Sequence, residues 1–281
     1  MKIAFLFLTI DNVRFPGIWE YYFKNNNDKF NIYCHPKYPD KVTVSWQKKN
    51  IINNLAPTKW GFLTDATVNL LFSALQNKDN LKFILVSESC LPIKSFDLLY
   101  KFLNKDHINT SYIDFSNIDS NPFNFLKSKL PSNYFSYEIK KHSQWFCLSR
   151  YHTKKLLIHP DLKKFTKVIA GDENILTLIS NENHIIDFPI IYVDWFSNKI
   201  VAEKIRLETI KLYEKKEKYK TNKYDKKIKK LREKRRLLGA HPKEYNKITK
   251  DVLQKIKKSE SFFYRKFSVD SNIIKYYKEI L

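Results

Sequence analysis

The chain has 281 residues, 43% of them hydrophobic and 15% aromatic, which excludes an intrinsically disordered protein. No run of about 18 apolar residues occurs, so we predict that no segment spans a membrane. The formal net charge of +22 favours an anionic partner, such as nucleic acid, a membrane surface or a phosphate-bearing substrate.

The first elements alternate between strand and helix. Residues 3–10, IAFLFLTI, predict a strand that is buried on both faces of a parallel sheet. A helix with Ile18, Tyr21 and Tyr22 on its inner face follows, and residues 30–35, FNIYCH, predict a second strand. This βαβ opening is typical of nucleotide-binding α/β domains.

The alternation continues through the middle of the chain. We predict a helix over 64–77 with Thr64 as its N-cap, a strand over 83–89 and a helix from Ser95. Residues 104–140 show no period and predict long surface loops, which often surround the site of an α/β enzyme. The later elements are a strand at 144–150 leading into a helix, the start of a helix at 171–180, and a strand at 184–195.

Much of the charge lies in one segment. Residues 203–236 hold sixteen Lys and Arg against six Asp and Glu. Apolar side chains recur at helical spacing and predict a helix over 203–238 with a narrow apolar stripe. A straight helix of this length measures about 50 Å, so it projects, contacts a partner or bends, with Asn222 the favoured bend. A solvated charged helix is favoured over nucleic-acid binding.

The cysteines indicate the compartment. Cys34, Cys90 and Cys147 form no CxxC pair and each lies in an apolar run, so we expect three buried thiols and neither a disulfide scaffold nor a zinc site. The short apolar N-terminus lacks a small-residue cleavage site, which argues against a signal peptide. We therefore expect a reducing, cytoplasmic location.

Two short stretches contain candidate reactive residues. Asp172-Glu173 before an apolar run fits helix capping, which contributes about 0.3–1 kcal/mol, and by pattern alone capping is favoured over catalysis. The same environment keeps Glu173 ionised, as a general base must be. Residues 262–268, FFYRKFS, contain Arg265 and Lys266, which form either a solvated edge or a clamp on a diphosphate.

Six short motifs in chain order resemble the core-2/I-branching β-glycosyltransferase family, which also includes peptide xylosyltransferases. IAFLFLTI at 3–10 with the following IYCH resembles the family's first two strands. KWG at 59–61 with the helix at 68–75 resembles the segment that lines the nucleotide, and FILVSESCLPIK at 83–94 resembles the turn after a later strand. SQWFCLSRYHTKKLL at 143–157, GDENILTLI at 171–179 and FYRKF at 263–267 resemble three further blocks.

The resemblance implies an α/β, GT-A-like fold with a mixed, mainly parallel central sheet flanked by helices. It implies one catalytic domain over 1–281, with 203–238 as a basic helical insertion and 241–281 closing on the donor diphosphate. The implied reaction is an inverting transfer of a sugar, GlcNAc or xylose, from a UDP-sugar to a glycan or glycoprotein. No cofactor is expected, because the family dispenses with the metal that most GT-A enzymes hold through Asp-x-Asp, a motif absent here.

The resemblance also implies site residues. Glu173 is the catalytic base that deprotonates the acceptor hydroxyl. Lys266 is the lysine of the closing motif, and Lys243 lies 23 positions before it, where relatives place a second basic residue. Trp60 lines the nucleotide or, alternatively, is a core tryptophan. The implied donor-binding residues are Leu8, Trp60, Lys243 and Lys266, with Arg265, Glu88 and Asp172 as further candidates and no metal ligand.

Two other classes of function stay open. A nucleic-acid- or polyanion-binding protein would use residues 203–236, where Tyr is interleaved with Lys. A catalytically inactive relative would bind glycans, although the retained Glu173 and Lys266 argue against it. The low cysteine count resembles viral or bacterial branches of the family, and for a viral protein we expect the host cytoplasm.

Overall fold

The computed structural model describes residues 1–115 and 134–281, so residues 116–133 of the loop region predicted over 104–140 lie outside the described residues. The strands are β1 (Lys2–Thr9), β2 (Phe30–Pro36), β3 (Asn80–Ser87), β4 (Leu91–Pro92), β5 (Ser111–Phe115), β6 (His142–Ser149), β7 (Ile185–Asp187), β8 (Ile191–Val193) and β9 (Phe263–Arg265). The α-helices are Pro16–Phe23, Ser45–Lys49, Thr64–Leu75, Phe96–Lys105, Arg150–Ile158, Leu162–Thr166, Phe196–Tyr219, Asp225–Ala240, Lys250–Lys257 and Tyr277–Ile280.

A six-stranded sheet in the order β2-β1-β3-β6-β5-β7 forms the centre of the molecule. β1 pairs in parallel with β2 and β3, β5 pairs in parallel with β7, and β6 runs antiparallel to both β3 and β5. β1 is buried from Ile3 to its end, because both of its faces are covered. The predicted mixed, mainly parallel sheet flanked by helices is confirmed.

A second sheet attaches the C-terminal segment to the centre. β9 lies between β4, to which it is antiparallel, and β8, to which it is parallel. Leu91 of β4 pairs with Tyr264 of β9, so the turn between β3 and β4 lies beside the end of β9. A separate apolar cluster, which includes Tyr245, Tyr264 and Phe267, buries the inner side of this C-terminal segment.

Four local predictions are corrected. Residues 111–115 form strand β5 and not a loop, because they complete the sheet beside β6. The single strand predicted over 184–195 is two strands in different sheets. They are separated at Pro189, which has no N–H to donate to a neighbouring strand. Thr64 begins its helix but does not cap it, because its hydroxyl donates to the Phe165 carbonyl (3.3 Å).

The fourth correction concerns residues 171–180, which form the 3₁₀ turns Gly171–Glu173 and Ile175–Ile179 and not the start of an α-helix. Asn174, between them, has φ −137°, which breaks the helical path. Its side-chain amide donates back to the Ala170 carbonyl (2.7 Å) and stabilises this break. The cysteine prediction, in contrast, is confirmed: Cys34, Cys90 and Cys147 are buried free thiols.

The basic segment is a helical hairpin, formed by Phe196–Tyr219 and Asp225–Ala240 and called the basic hairpin below. The predicted bend is confirmed: Asn222 lies in the connecting turn, where its carbonyl accepts from Asp225 N–H (3.1 Å). Ion pairs join the two helices at Lys216–Asp225 (2.6 Å) and Lys227–Glu208 (2.9 Å). Among the described residues, no helix combines the length and apolar character needed to cross a bilayer.

Candidate active site

The 3₁₀ turn that carries Glu173 is held in one conformation. Ala170, just before it, has a left-handed backbone (φ 54°) and donates its N–H to the Gly61 carbonyl (2.6 Å). A Cβ on Gly171 would lie 2.0 Å from the Phe165 carbonyl oxygen, so only glycine fits at this position. The position of the Glu173 backbone therefore follows from contacts with the distant segment at Gly61 and with the preceding helix at Phe165.

The Glu173 side chain is accessible and has a cationic neighbour. It is 32% exposed, and its Oε2 lies 3.3 Å from Lys141 Nζ. Because no α-helix begins here, the helix-capping interpretation is wrong. A carboxylate in this setting can accept a proton from the hydroxyl of a bound molecule.

Asp172 is the buried partner in this acidic pair. Only 4% of it is exposed, and its Oδ1 has no hydrogen-bond partner in the described part of the chain. Burial, helped by the charge of Glu173, raises its pKa to about 7, although the N–H groups of Asp172 and Leu63 oppose the shift. The two neighbouring carboxyls therefore lie in different environments, one buried and protonatable near neutral pH and the other exposed beside a lysine.

Arg265 brings a positive charge of the C-terminal segment near enough to interact with the charge of Glu173. Its guanidinium carbon lies 4.4 Å from the centroid of the Trp145 ring, a cation–π contact. Burial lowers the pKa of Arg265, while nearby charges including Glu88 and Glu173 oppose that shift. The interpretation of 262–268 as a solvated edge is wrong for Arg265, because β9 is the central strand of its sheet.

Lys266 belongs to a chain of ionic contacts that the sequence did not reveal. Its Nζ lies 3.8 Å from Glu244 Oε2, and the other oxygen of Glu244 accepts from Arg14 Nη1. Arg14 also donates to the carbonyl of Phe267, and its own N–H donates to the Glu88 carbonyl (3.0 Å). Arg14 and Glu244 are 230 positions apart, and no local pattern marks either one.

Lys243 lies on the neighbouring segment. Its N–H donates to the Asp194 carbonyl (2.9 Å), and its Nζ lies over the Tyr245 ring, 4.9 Å from the centroid. Tyr245 in turn donates its N–H to the carbonyl of Lys266 (2.8 Å). The Lys266 carbonyl is therefore bonded to the chain two residues after Lys243, while the Lys243 ammonium contacts an aromatic face.

The remaining predicted residues lie around this group. Trp60 is 69% exposed, so the core-tryptophan alternative is wrong, and the neighbouring Gly61 ties its segment to the Glu173 turn. Leu8 is 6% exposed near the end of β1, where it pairs with Ser87 just before Glu88. The charges of Glu88 and Glu173 act on Arg265, Glu173 acts on the neighbouring Asp172, and Lys266 follows Arg265 and lies near Glu244. Leu8, Trp60 and Lys243 adjoin these residues through the backbone.

Two further observations concern ligands. Within residues 1–115 and 134–281, no three His, Cys, Asp or Glu side chains are grouped so that they could hold a metal ion. An open groove of about 740 Å³ lies on the basic hairpin, away from Glu173, and is lined by Ala202, Arg206, Thr209, Ile210, Tyr213, Arg232 and Arg235.

Comparison with known proteins gives one strong match and two distant ones. The model of the Core-2/I-Branching enzyme family matches residues 3–257. Glycosyltransferase BC10 of Oryza sativa subsp. japonica is 24% identical over 204 residues, which cover 69% of this chain and 46% of that protein. The chain therefore spans about half the length of this curated relative. The match to the crystal structure of A197 from STIV covers 66% of this chain and 80% of that chain at 13% identity. Its TM-score is 0.32, too low to indicate a shared fold.

Proposed function

The chain belongs to the Core-2/I-Branching enzyme family, and we propose that it is an inverting glycosyltransferase that moves a sugar from a UDP-sugar to a hydroxyl of a glycan or glycoprotein. The proposal is supported by an accessible carboxylate, Glu173, whose charge acts on Arg265, and by Lys266, which directly follows Arg265 and, like it, lies near Glu244. Such a site supplies both requirements of sugar transfer, a proton acceptor and positive charge for a departing diphosphate.

In the proposed reaction, Glu173 accepts the proton of the acceptor hydroxyl. The hydroxyl oxygen forms a bond to C1 of the donor sugar as the bond from C1 to the diphosphate oxygen breaks. UDP leaves with the electron pair of that bond, and a single in-line displacement inverts the configuration at C1. Lys141, 3.3 Å from Glu173, keeps the carboxylate in place for this step.

The leaving group carries most of the charge that develops, so it is where electrostatic stabilisation acts. We propose that Lys266, Lys243 and Arg265 provide this stabilisation and that no metal is needed. Lys266 is 24% exposed, so it can reach a ligand while its stem stays packed. Trp60, which is 69% exposed on a segment tied to the Glu173 turn, offers a flat apolar face for the uracil or the sugar.

GlcNAc and xylose are the proposed donor sugars, as implied by the resemblance. The test is to measure UDP release with UDP-GlcNAc, UDP-xylose, UDP-glucose and UDP-galactose, each in EDTA and in Mn²⁺. We expect release with one of the first two sugars, at the same rate in both buffers. Release that stops in EDTA and returns with Mn²⁺ contradicts metal independence, and no release with any donor across a panel of glycan acceptors contradicts the proposed activity.

A second function, binding of polyanions, is favoured by the basic hairpin alone. This hairpin projects sixteen Lys and Arg over 203–236, and the open groove along it contains Arg206, Arg232 and Arg235. Such a surface attracts nucleic acid or anionic lipid by counterion release, so binding falls steeply with salt. It is independent of the chemistry at Glu173.

A further inference from the structure

A carboxylate lies between two cations at the edge of the candidate active site. Glu244 offers one oxygen to Arg14 Nη1 and the other to Lys266 Nζ at 3.8 Å. Of these three side chains, Glu244 is the most exposed, at 39%, compared with 20% for Arg14 and 24% for Lys266. The two cations are thus partly enclosed, and the anion between them faces solvent.

The two cations do not depend on Glu244 alone for their positions. Arg14 donates from its side chain to the carbonyl of Phe267 and from its backbone to the carbonyl of Glu88. Lys266 directly follows β9, whose pairing with β4 and β8 fixes the backbone. If the carboxylate of Glu244 moved away, the Arg14 guanidinium would keep its bond to Phe267, the backbone at Lys266 would stay in place, and both cations would lose the charge of Glu244.

Glu244 also carries its charge firmly. Burial raises the pKa of this carboxyl, but the hydrogen bond from Arg14 and the charges of Lys266, Arg14 and Arg265 outweigh burial and hold the pKa below its ordinary value. At neutral pH a single negative charge therefore meets three neighbouring positive ones.

We propose that Arg14 is a phosphate-binding residue of this site and that Glu244 is an internal anion, which holds the place between Arg14 and Lys266 until the donor diphosphate displaces it. This inference rests on the proposed function, since it deepens the description of its donor site. Guanidinium groups bind phosphate and carboxylate with the same two-pronged geometry, so one anion can replace the other.

The exchange has a clear energetic consequence. Diphosphate brings more charge than one carboxylate, so it binds the preorganised cations more strongly, but only after the Glu244 contacts are lost. Glu244 therefore lowers donor affinity, because its contacts with Arg14 and Lys266 must be lost before the diphosphate can bind. Removal of its charge should tighten anion binding, whereas a carboxylate with a purely structural role should not have this effect.

The experiment is calorimetric titration of the full chain with inorganic pyrophosphate and, separately, with UDP. We expect Glu244→Gln to bind both ligands about tenfold more tightly, and Arg14→Gln to bind both about tenfold more weakly, the size of one charge-assisted hydrogen bond. Arg14→Lys keeps the positive charge but lacks the two-pronged guanidinium, so we expect an intermediate loss of affinity for both ligands. Glu279→Gln is the matched control, because it removes the same charge from a Glu–Lys pair (3.6 Å to Lys257) and should bind like the wild type.

The outcomes separate the inference from the proposed function. Unchanged or weaker binding by a folded Glu244→Gln, with a wild type that binds UDP, overturns the role of Glu244 and leaves the function standing. Unchanged binding by Arg14→Gln overturns the role of Arg14 in the same way. The wild type could instead bind pyrophosphate, with tighter binding in Glu244→Gln, and show no affinity for UDP. That result supports the anion site and contradicts the proposed donor. If the wild type binds neither ligand, both proposals fail.

Discussion

The N–H of Ala170 donates to the carbonyl of Gly61 across 2.6 Å. This bond joins the segment that presents Trp60 to the turn that presents Glu173, although the two segments are more than a hundred residues apart in the chain. The proposed nucleotide-stacking residue and the proposed base are therefore held by one backbone contact, and a change in the turn should affect both.

The first prediction concerns the glycine of this turn. Gly171→Ala places a Cβ 2.0 Å from the Phe165 carbonyl, so the turn must shift, at a cost of about 1–3 kcal/mol in the free energy of unfolding. We expect a lower Tm and lower turnover. Gly17→Ala is the control, since a Cβ there meets no atom within 4 Å. If both variants show the wild-type Tm, the tight packing of the turn is contradicted.

The second prediction concerns the pH dependence of stability. The pKa of Asp172 is about 7 in the folded chain against an ordinary value of 3.8, so between these values the folded state holds a proton that the unfolded state has released. The contribution of Asp172 to the free energy of unfolding is therefore highest below about pH 4, falls as the pH rises towards 7, and is constant above it, with a slope of up to about 1.4 kcal/mol per pH unit.

Asp172→Asn cannot ionise, so we expect it to flatten this contribution to the curve of unfolding free energy against pH. Urea unfolding at several pH values from 4.5 to 8 measures it. Asp251→Asn, on the exposed face of the helix Lys250–Lys257, is the control and should keep the wild-type slope. A wild-type slope in Asp172→Asn would show that this carboxyl does not titrate in the window.

The third prediction concerns Lys266. On the proposed function, Lys266→Ala removes a cation that meets the diphosphate in both the ground state and the transition state, so UDP affinity and turnover should fall together. Calorimetry with UDP and initial rates of UDP release measure the two effects. Lys257→Ala, which removes a lysine paired with Glu279, should change neither. Wild-type UDP affinity in Lys266→Ala would remove this lysine from the donor site.

The fourth prediction concerns the basic hairpin. The two helices are joined by ion pairs, and Ala202 and Arg235 line the same groove, so we expect a short Gly/Ser bridge to join the ends left by deleting 203–236. Ile205, Leu212 and Ile228 are buried, but they belong to neither apolar cluster of the rest of the molecule. Their removal with the segment should leave both clusters intact, so we expect the deletion variant to fold and to bind UDP. An insoluble variant, or one without UDP affinity, would show that the hairpin belongs to the catalytic core.

The same variant tests the polyanion surface. We expect the full chain to bind anionic vesicles or nucleic acid with an affinity that falls steeply with salt, and the deletion variant not to bind them. Equal binding by both proteins would place the polyanion surface elsewhere on the chain.

The fold was predictable where burial leaves a continuous signal. β1 and β3 are long apolar runs because both faces of each are covered, and the hairpin turn at Asn222 followed from the length of the basic segment. The split of 184–195 into two sheets was not predictable, since the local pattern of β7 and β8 does not say which strand each one pairs with.

The candidate site was predictable only in part, and for a similar reason. Glu173 and Lys266 were found through resemblance, because local motifs carry them. Arg14, Glu244 and Trp145 were missed, because their roles depend on contacts between distant segments: Arg14 with Glu244, and Trp145 with Arg265. The 3₁₀ turn was also missed, because its conformation depends on packing against Phe165 and Gly61 as well as on its own Gly171 and Asn174.

The central claim, that Glu173 is the base, is tested most directly by the turnover of Glu173→Gln. Gln keeps the shape of the side chain and removes its capacity to accept a proton, so the account predicts a fall of about 10²–10⁴-fold in the rate of sugar transfer with UDP affinity retained. Glu182→Gln is the matched control, because Glu182 is also paired with a lysine (3.6 Å to Lys155) and similarly exposed, and it should keep the wild-type rate. A folded Glu173→Gln that transfers sugar at close to the wild-type rate would contradict the account.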